Sequence, residues 1–180
     1  KQKTEYELDQ CDWIQTCALP ISWHHFSPYL SGQYLHATID NNLASGGDLL
    51  PTKGKTAVNT PTFSGAIGLA YDNGSIFGNF NLNYVGSQYA TFMNDQKIPS
   101  YFTGNVTLGY RMKNYRFVKH PQIQLNLINL GNSGYLSGAS SLVGNAKATK
   151  GVYGTNIAAQ TPLYYVGGGF AGVVSVPAGF

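Results

Sequence analysis

Between Pro162 and Phe180 every second residue, Tyr164, Val166, Gly168, Phe170, Gly172, Val174, Val176, Ala178 and Phe180, is apolar or glycine. A period of two puts these side chains on one face of a strand. The opposite register, Tyr165, Gly167, Gly169, Ala171, Val173, Ser175, Pro177 and Gly179, is smaller and has no aromatic beyond Tyr165. A bulky apolar face backed by a small one suits a wall between lipid and a lumen. It equally suits a soluble sandwich, whose apolar face is buried in a core.

The alternation recurs upstream in segments long enough to cross a bilayer as tilted strands, which takes about 9–11 residues. From Pro61 to Tyr71 one face reads Phe63, Gly65, Ile67, Leu69, Tyr71 and the other Thr62, Ser64, Ala66, Gly68, Ala70. From Ile76 to Gly86 the outer face is Ile76, Gly78, Phe80, Leu82, Tyr84, set against Phe77, Asn79, Asn81, Asn83 and Val85. Three asparagines in register are expensive to place in hydrocarbon. From Tyr101 to Met112, Phe102, Gly104, Val106, Leu108, Tyr110 and Met112 oppose Tyr101, Thr103, Asn105, Thr107, Gly109 and Arg111. After Pro121, Ile123, Leu125 and Leu127 alternate with Gln122, Gln124 and Asn126, and a poorer first strand from about Tyr29 sets Leu35, Ala37, Ile39 against Tyr34, His36, Thr38. The outward set expected to meet lipid is Phe63, Ile67, Leu69, Phe80, Leu82, Val106, Leu108, Val174 and Val176.

The connections alternate in length. Asp72-Asn73-Gly74-Ser75 is a tight turn whose Asn-Gly is a hairpin signal. The link from Met112 to Pro121 is short and basic, with Lys113, Arg116 and Lys119. Residues 40–60, 87–99 and 136–161 are long and rich in Gly, Ala, Ser, Thr and Asn. Long external loops and short periplasmic turns are the asymmetry of an outer-membrane barrel, which puts Phe180 on the periplasmic side. The 136–161 segment, without an apolar dyad, is expected to be a mobile external loop.

Composition is consistent with that reading. Only 11% of the 180 residues are charged, against about 25% in average soluble domains. No run of 18 apolar residues offers a transmembrane helix. The competing classes are a passive porin-like barrel and a secreted carbohydrate-binding β-sandwich.

Residues 1–22 stand outside the pattern and look like the conceptual translation of a sequencing adapter: Cys17-Ala18-Leu19-Pro20-Ile21 is what TGT-GCT-CTT-CCG-ATC encodes. Such scars are excluded from fold reasoning, leaving 23–180 as the barrel region. Both cysteines, Cys11 and Cys17, leave with the segment, and with them any disulfide or CxxC metal logic. Two of the 11 basic and four of the 8 acidic residues leave too, so nine and four remain, formally +5. These are spread over loops and turns, which favours solvation or anionic lipid heads over a nucleic-acid stripe.

Candidate chemistry is sparse. His24 and His25 are adjacent, and adjacent strand residues point to opposite faces, so a shared metal is not expected. His36 reads as lumen lining. Asp40, Asp48, Asp72 and Asp95 are scattered, without paired-carboxylate or Ser/His/Asp spacing. Gly167-Gly168-Gly169 precedes no helix and reads as a bend or close packing, not a phosphate loop. Tyr71, Tyr84, Phe102 and Tyr110 read as girdle aromatics near strand ends, with ring stacking on a ligand as the alternative. No catalytic, cofactor or metal site is expected, and the ligand-binding residues are unknown.

The run Asn83-Tyr84-Val85-Gly86-Ser87-Gln88-Tyr89, then Asn94, Ile98-Pro99-Ser100-Tyr101, Asn129-Leu130 with Tyr135, Pro162-Leu163-Tyr164 and a final aromatic resembles the C-terminal strands of TonB-dependent outer-membrane receptors, over about residues 26–180. It departs from them in having Gly167-Gly168-Gly169-Phe170 where an early Arg is common, and Pro177 inside the final strand. The resemblance implies an all-β, antiparallel transmembrane barrel of 22 strands. About six C-terminal ones would be present here, without the plug and TonB-contacting segment. It further implies uptake of a scarce ligand such as a siderophore, energy from the TonB complex, outer-membrane lipid as surroundings, and Phe180 as signal to the barrel-assembly machinery, with no nucleic-acid partner and no cofactor.

The adapter reading has a direct test. Amplification from source DNA, primed inside residues 26–40 and extended upstream, is expected not to recover codons for 1–22. Finding them contiguous in the genome overturns that reading.

Overall fold

The computed structural model describes the backbone of residues 15–20 and, in full, residues 24–114 and 120–177. Every regular element among them is a strand. In chain order these are β1 (Gln15–Pro20), β2 (Phe26–Tyr34), β3 (Leu43–Ser45), β4 (Asp48–Leu50), β5 (Phe63–Asp72), β6 (Ile76–Val85), β7 (Gln88–Tyr89) and β8 (Lys97–Ile98). Then come β9 (Tyr101–Arg111), β10 (Gln122–Ile128), β11 (Leu136–Ala139), β12 (Thr149–Lys150), β13 (Asn156–Ile157), β14 (Tyr164–Val166) and β15 (Ala171–Ser175).

Seven of them form one sheet in the order β1-β2-β5-β6-β9-β10-β15, antiparallel at every step and open at both edges. β1 lies inside the adapter-like segment and runs along the free edge of β2. An unpaired edge templates almost any strand-compatible segment, so this pairing does not require residues 1–22 to be native.

Side-chain alternation becomes two sets of rows across the sheet. One face carries Leu30–Ile67–Leu82, Leu69–Phe80–Val106–Leu127 and Tyr71–Gly78–Leu108–Leu125–Val174. The other carries Tyr29–Gly68–Asn81–Asn105 and Ala70–Asn79–Thr107–Asn126–Val173. The apolar face has no cover: Ile67 and Leu108 are 53% and 54% exposed. Among the described residues the buried apolar side chains, Leu50, Ala90, Ile98, Ala139 and Ile157, lie outside the sheet, in a layer of loops at one of its ends.

That layer differs from the expected loose loops. The long connections carry four small sheets of their own: β3 with β4, β7 with β8, β11 with β14, and β12 with β13. The 136–161 segment, expected to be mobile, holds buried Ala139, Asn145 and Ile157. The first strand ends earlier than its alternation: after Leu35, whose N–H still donates to Thr62 O, residues 36–39 leave the sheet and pair within their own connection, through Ile39 N–H to Lys55 O and Ala57 N–H to Ala37 O. The final strand is two pieces, because β14 pairs in the loop layer and β15 in the sheet, with Gly167–Gly169 between them. Pro177 falls just after β15; its carbonyl accepts from Gln122 N–H, but it has no N–H to return the bond, and the strand ends there. Phe180 lies outside the described residues.

The opposite end of the sheet is closed by short links. In the Asn73-Gly74 turn, Gly74 sits at φ 90°, Asn73 Oδ1 accepts from Ser75 and Ile76 N–H, and Asp72 Oδ1 accepts from Gly74 N–H. Arg111, from β9, clamps the turn by a bidentate pair with Asp72 at 2.7 and 2.9 Å, lying over the Phe77 ring at 4.2 Å. Replacing Gly74 with Val forces a β-branched residue into left-handed backbone, at about 1–2 kcal/mol. A denaturant titration should read a lower midpoint for Gly74→Val and a smaller drop for Gly74→Asn.

Candidate functional site

The sheet's apolar face is bounded by aromatics at both ends. Near the short turns Phe26 and Tyr71 pack at 4.8 Å between ring centres. At the loop end Tyr84 lies 4.7 Å from Phe102 and 6.0 Å from Phe63. The row from Phe63 to Tyr71 runs roughly 26 Å along the strand at about 3.3 Å per residue. After a tilt of about 40° that is roughly 20 Å, close to the ~25 Å apolar band of outer-membrane barrels. The nine residues expected to meet lipid all lie on this side, Leu82 and Val106 half-buried and the other seven exposed.

The other face is a continuous field of amides and hydroxyls. Asn81 Nδ2 donates to Tyr29 OH, whose ring fills the space over Gly68. Asn126 Oδ1 accepts from Thr107 Oγ1 at 3.0 Å and from Gln124 Nε2 at 2.7 Å. Asn81 Oδ1 is buried without a partner among the described residues. Such a face needs water or a polar filling against it.

Above this wall, residues 35–62, 86–100 and 129–170 are joined by side chains acting on backbone. Asn59 and Ala139 exchange two bonds, Nδ2 to the carbonyl at 2.9 Å and N–H to Oδ1 at 2.7 Å. Asn94 does the same with Thr56, at 2.8 Å both ways. Gln88 Nε2 donates to Ser137 O. Asp95 accepts from Thr91 Oγ1 and from the N–H of Ala146 and Lys147. Asp48, 4% exposed, accepts from the N–H of Leu49, Tyr153 and Thr155. Burial works against the charge of both carboxylates, yet the hydrogen bonds they accept outweigh it and hold each below the ordinary aspartate range.

The remaining sequence candidates are dispersed. His25 lies edge-on to Tyr71 at 6.1 Å, His36 and Asp40 are exposed, and Asp72 belongs to the turn clamp. No group of three His, Cys, Asp or Glu that would hold a metal exists among the described residues. Tyr84, Phe102, Tyr71 and Tyr110 share the apolar face, at the ends of its rows. Gly167 is packed against the Tyr135 ring. Sequence reasoning missed the clamping asparagines. Their signal is local: Asn59, Asn94 and Asn129 stand at φ 56°, 58° and 51°, the left-handed region that asparagine tolerates.

The family described as "TonB dependent receptor-like, beta-barrel" matches residues 16–130. No curated protein matches the chain. Among solved structures, the siderophore receptor PiuA from Acinetobacter baumannii superposes with a TM-score of 0.63 at 16% identity, over 88% of this chain and 20% of its own. The ferric citrate transporter FecA gives 0.60 at 18%, over 86% and 21%. The ferric yersiniabactin uptake receptor FyuA from Yersinia pestis gives 0.58 at 15%, over 87% and 21%. The chain therefore spans about a fifth of the length of these structures, and at such identities they speak for the fold. With the family matched over more than half its residues, the chain belongs to the TonB-dependent receptor-like β-barrels.

Proposed function

We propose that this chain is the wall and loop section of an outer-membrane receptor for active uptake of a scarce ligand, such as a siderophore or other large nutrient. The observation that carries the reading is the sheet's uncovered apolar face, bounded by aromatics at both ends and backed by a polar face. The apolar rows meet outer-membrane lipid, and the depression among Leu30, Ile67, Leu82 and Phe102 is a seat for an acyl chain. The polar face lines the lumen. The names of the structural neighbours, receptors for a siderophore, ferric citrate and ferric yersiniabactin, favour a ferric chelate as cargo. The TonB complex is engaged through regions outside this chain, and Phe180 serves the assembly machinery. Residues 1–22 are set aside as non-native, the receptor section being 23–180.

Loop layer outside and short turns in the periplasm give a labelling test in the full-length receptor. A cysteine replacing exposed Leu142 should react with a membrane-impermeant maleimide on intact cells. One replacing Asn73 should react only after outer-membrane permeabilisation. The reverse pattern inverts the topology.

Leu108→Arg tests the faces. Leu108 stands one outward position from Tyr110, off the midplane, so the charge costs part of the about 2–4 kcal/mol it would at mid-bilayer, whereas Thr107→Arg points to water. Heat-resistant folded barrel should fall sharply for the first and little for the second. A soluble core would also suffer from Leu108→Arg, so fluorophores on cysteines at 108 and 107 complete the test. Quenching by a lipid-phase quencher at 108 and not at 107 is expected; protection of 108 from lipid sinks the receptor reading.

A further inference from the structure

We propose that the three long connections form a single pre-assembled platform, positioned by Asp48, Asn59, Asn94 and Asp95, so that 129–170 does not move as an independent flap. The proposal rests on the receptor reading for its functional meaning: it names the residues that position the ligand-facing surface.

The three connections are tied to one another pairwise. Asn94, from 86–100, ties that connection to Thr56 of 35–62. Asn59, from 35–62, ties it to Ala139 of 129–170. Asp95, from 86–100, ties that connection to Ala146 and Lys147 of 129–170. Asp48 adds a second tie from 35–62 to Tyr153 and Thr155. The ties form a closed triangle, so none of the three segments can leave without breaking ties to both others.

Each tie also has the form that leaves least behind when made and most exposed when broken. A carboxamide that gives and takes one bond with a single residue reproduces the pair a neighbouring strand would supply, satisfying both backbone groups. A carboxylate accepting two main-chain N–H groups makes charge-assisted bonds, stronger than neutral ones. The apolar contacts run with the ties. Leu50, Ala90 with Ile98, and Ala139 with Ile157 are buried contributions from each of the three connections in turn. Leu50 occupies the space beside Gly144, and Asp48 that beside Gly151, so a side chain at either glycine would meet the neighbouring connection. Breaking a tie therefore strips partners either from the Ala90, Ile98 and Ala139 cluster, which the second and third connections share, or from the contacts that Leu50 and Asp48 of the first make beside Gly144 and Gly151.

The functional consequence is that ligand meeting this surface finds it already ordered. The entropy of arranging these loops has been spent on folding and is not charged to binding.

Hydrogen exchange of the full-length receptor in detergent, read by mass spectrometry, tests this without any ligand. Peptides containing the amides of Thr56, Ala139, Ala146, Lys147, Tyr153 and Thr155 should exchange as slowly as those of β5 and β6. Asp95→Ala should speed exchange at least tenfold at Ala146 and Lys147, and also at Tyr153, Thr155 and Ala139, which Asp95 does not touch. β5 and β6 stay protected as the control for a folded wall. Asp95→Asn, which keeps an acceptor, should recover part of the protection. If Asp95→Ala prevents assembly, Asn94→Ala makes the same test from another side of the triangle. Rapid exchange throughout 129–170 in the unaltered receptor, or acceleration confined to residues 146 and 147, overturns the proposal. Neither outcome touches the labelling and quenching experiments, which test the receptor reading separately.

Discussion

The antiparallel ladder is the interaction on which everything else in this chain depends. From β2 to β10 each strand's main-chain groups are taken up by neighbours on both sides. Once the backbone is satisfied within the sheet, side chains no longer have to protect it, and the two faces are free to suit different media. That is the condition under which a strand can adjoin hydrocarbon at all. It explains why Phe80 and Asn81, consecutive residues on β6, are so unlike: the pleat sends them to opposite sides. It also leaves the described strands of the sheet without buried apolar residues, because neither face has to close over the backbone.

Where the chain leaves the ladder, the same accounting is settled by side chains. The connections are too irregular for long strand pairing, so Asn59 and Asn94 stand in for a missing strand, and Asp48 and Asp95 collect N–H groups that no carbonyl reaches. Each neutral bond contributes only about 0.5–1.5 kcal/mol. Their weight comes from the alternative, since a buried main-chain group left unpaired costs about 1–3 kcal/mol. The loop layer thus has the buried core that the sheet lacks.

This division also separates what was legible in the sequence from what was not. The wall was readable because a sheet with one apolar and one polar face imposes a period of two, strong enough to survive in a single sequence at Phe63–Tyr71 and Tyr101–Met112. The Asn73-Gly74 turn was readable because its chemistry is local. Residues 36–39 kept the alternation and a real pairing, but with 55–57 of the same connection, a choice of partner that periodicity does not encode. The final alternation from Tyr164 onward ran through two different sheets for the same reason. Nothing in the composition of 136–161 distinguished it from a slack loop, because its order comes from Asp48, Asn59 and Asp95, up to 107 positions away. The positive-φ asparagines were the local trace, and a lone asparagine in a Gly- and Ser-rich stretch reads first as an ordinary turn.

The split of the last strand follows from how wall and loop layer are joined. The chain must come down from β14, which belongs to the loops, to β15, which belongs to the wall. Gly167–Gly169 makes that descent, and its course is fixed from the preceding connection. Gly167 N–H donates to Tyr135 O, Asn129 Nδ2 donates to Gly168 O at 2.8 Å, and Phe170 N–H donates to Asn132 Oδ1 at 2.9 Å. Asn129 is itself anchored in the wall, because its N–H donates to Asn105 Oδ1 on β9. One amide therefore reads the position of a wall strand and sets the path of the chain leaving the loops. A glycine is what the descent requires at 167, where Tyr135 occupies the space of a side chain; at 169 a side chain would crowd Asn132, and at 168 the space is open. The arginine that the resemblance leads one to expect early in this strand has room at 168 but not at 167, where the Tyr135 ring stands.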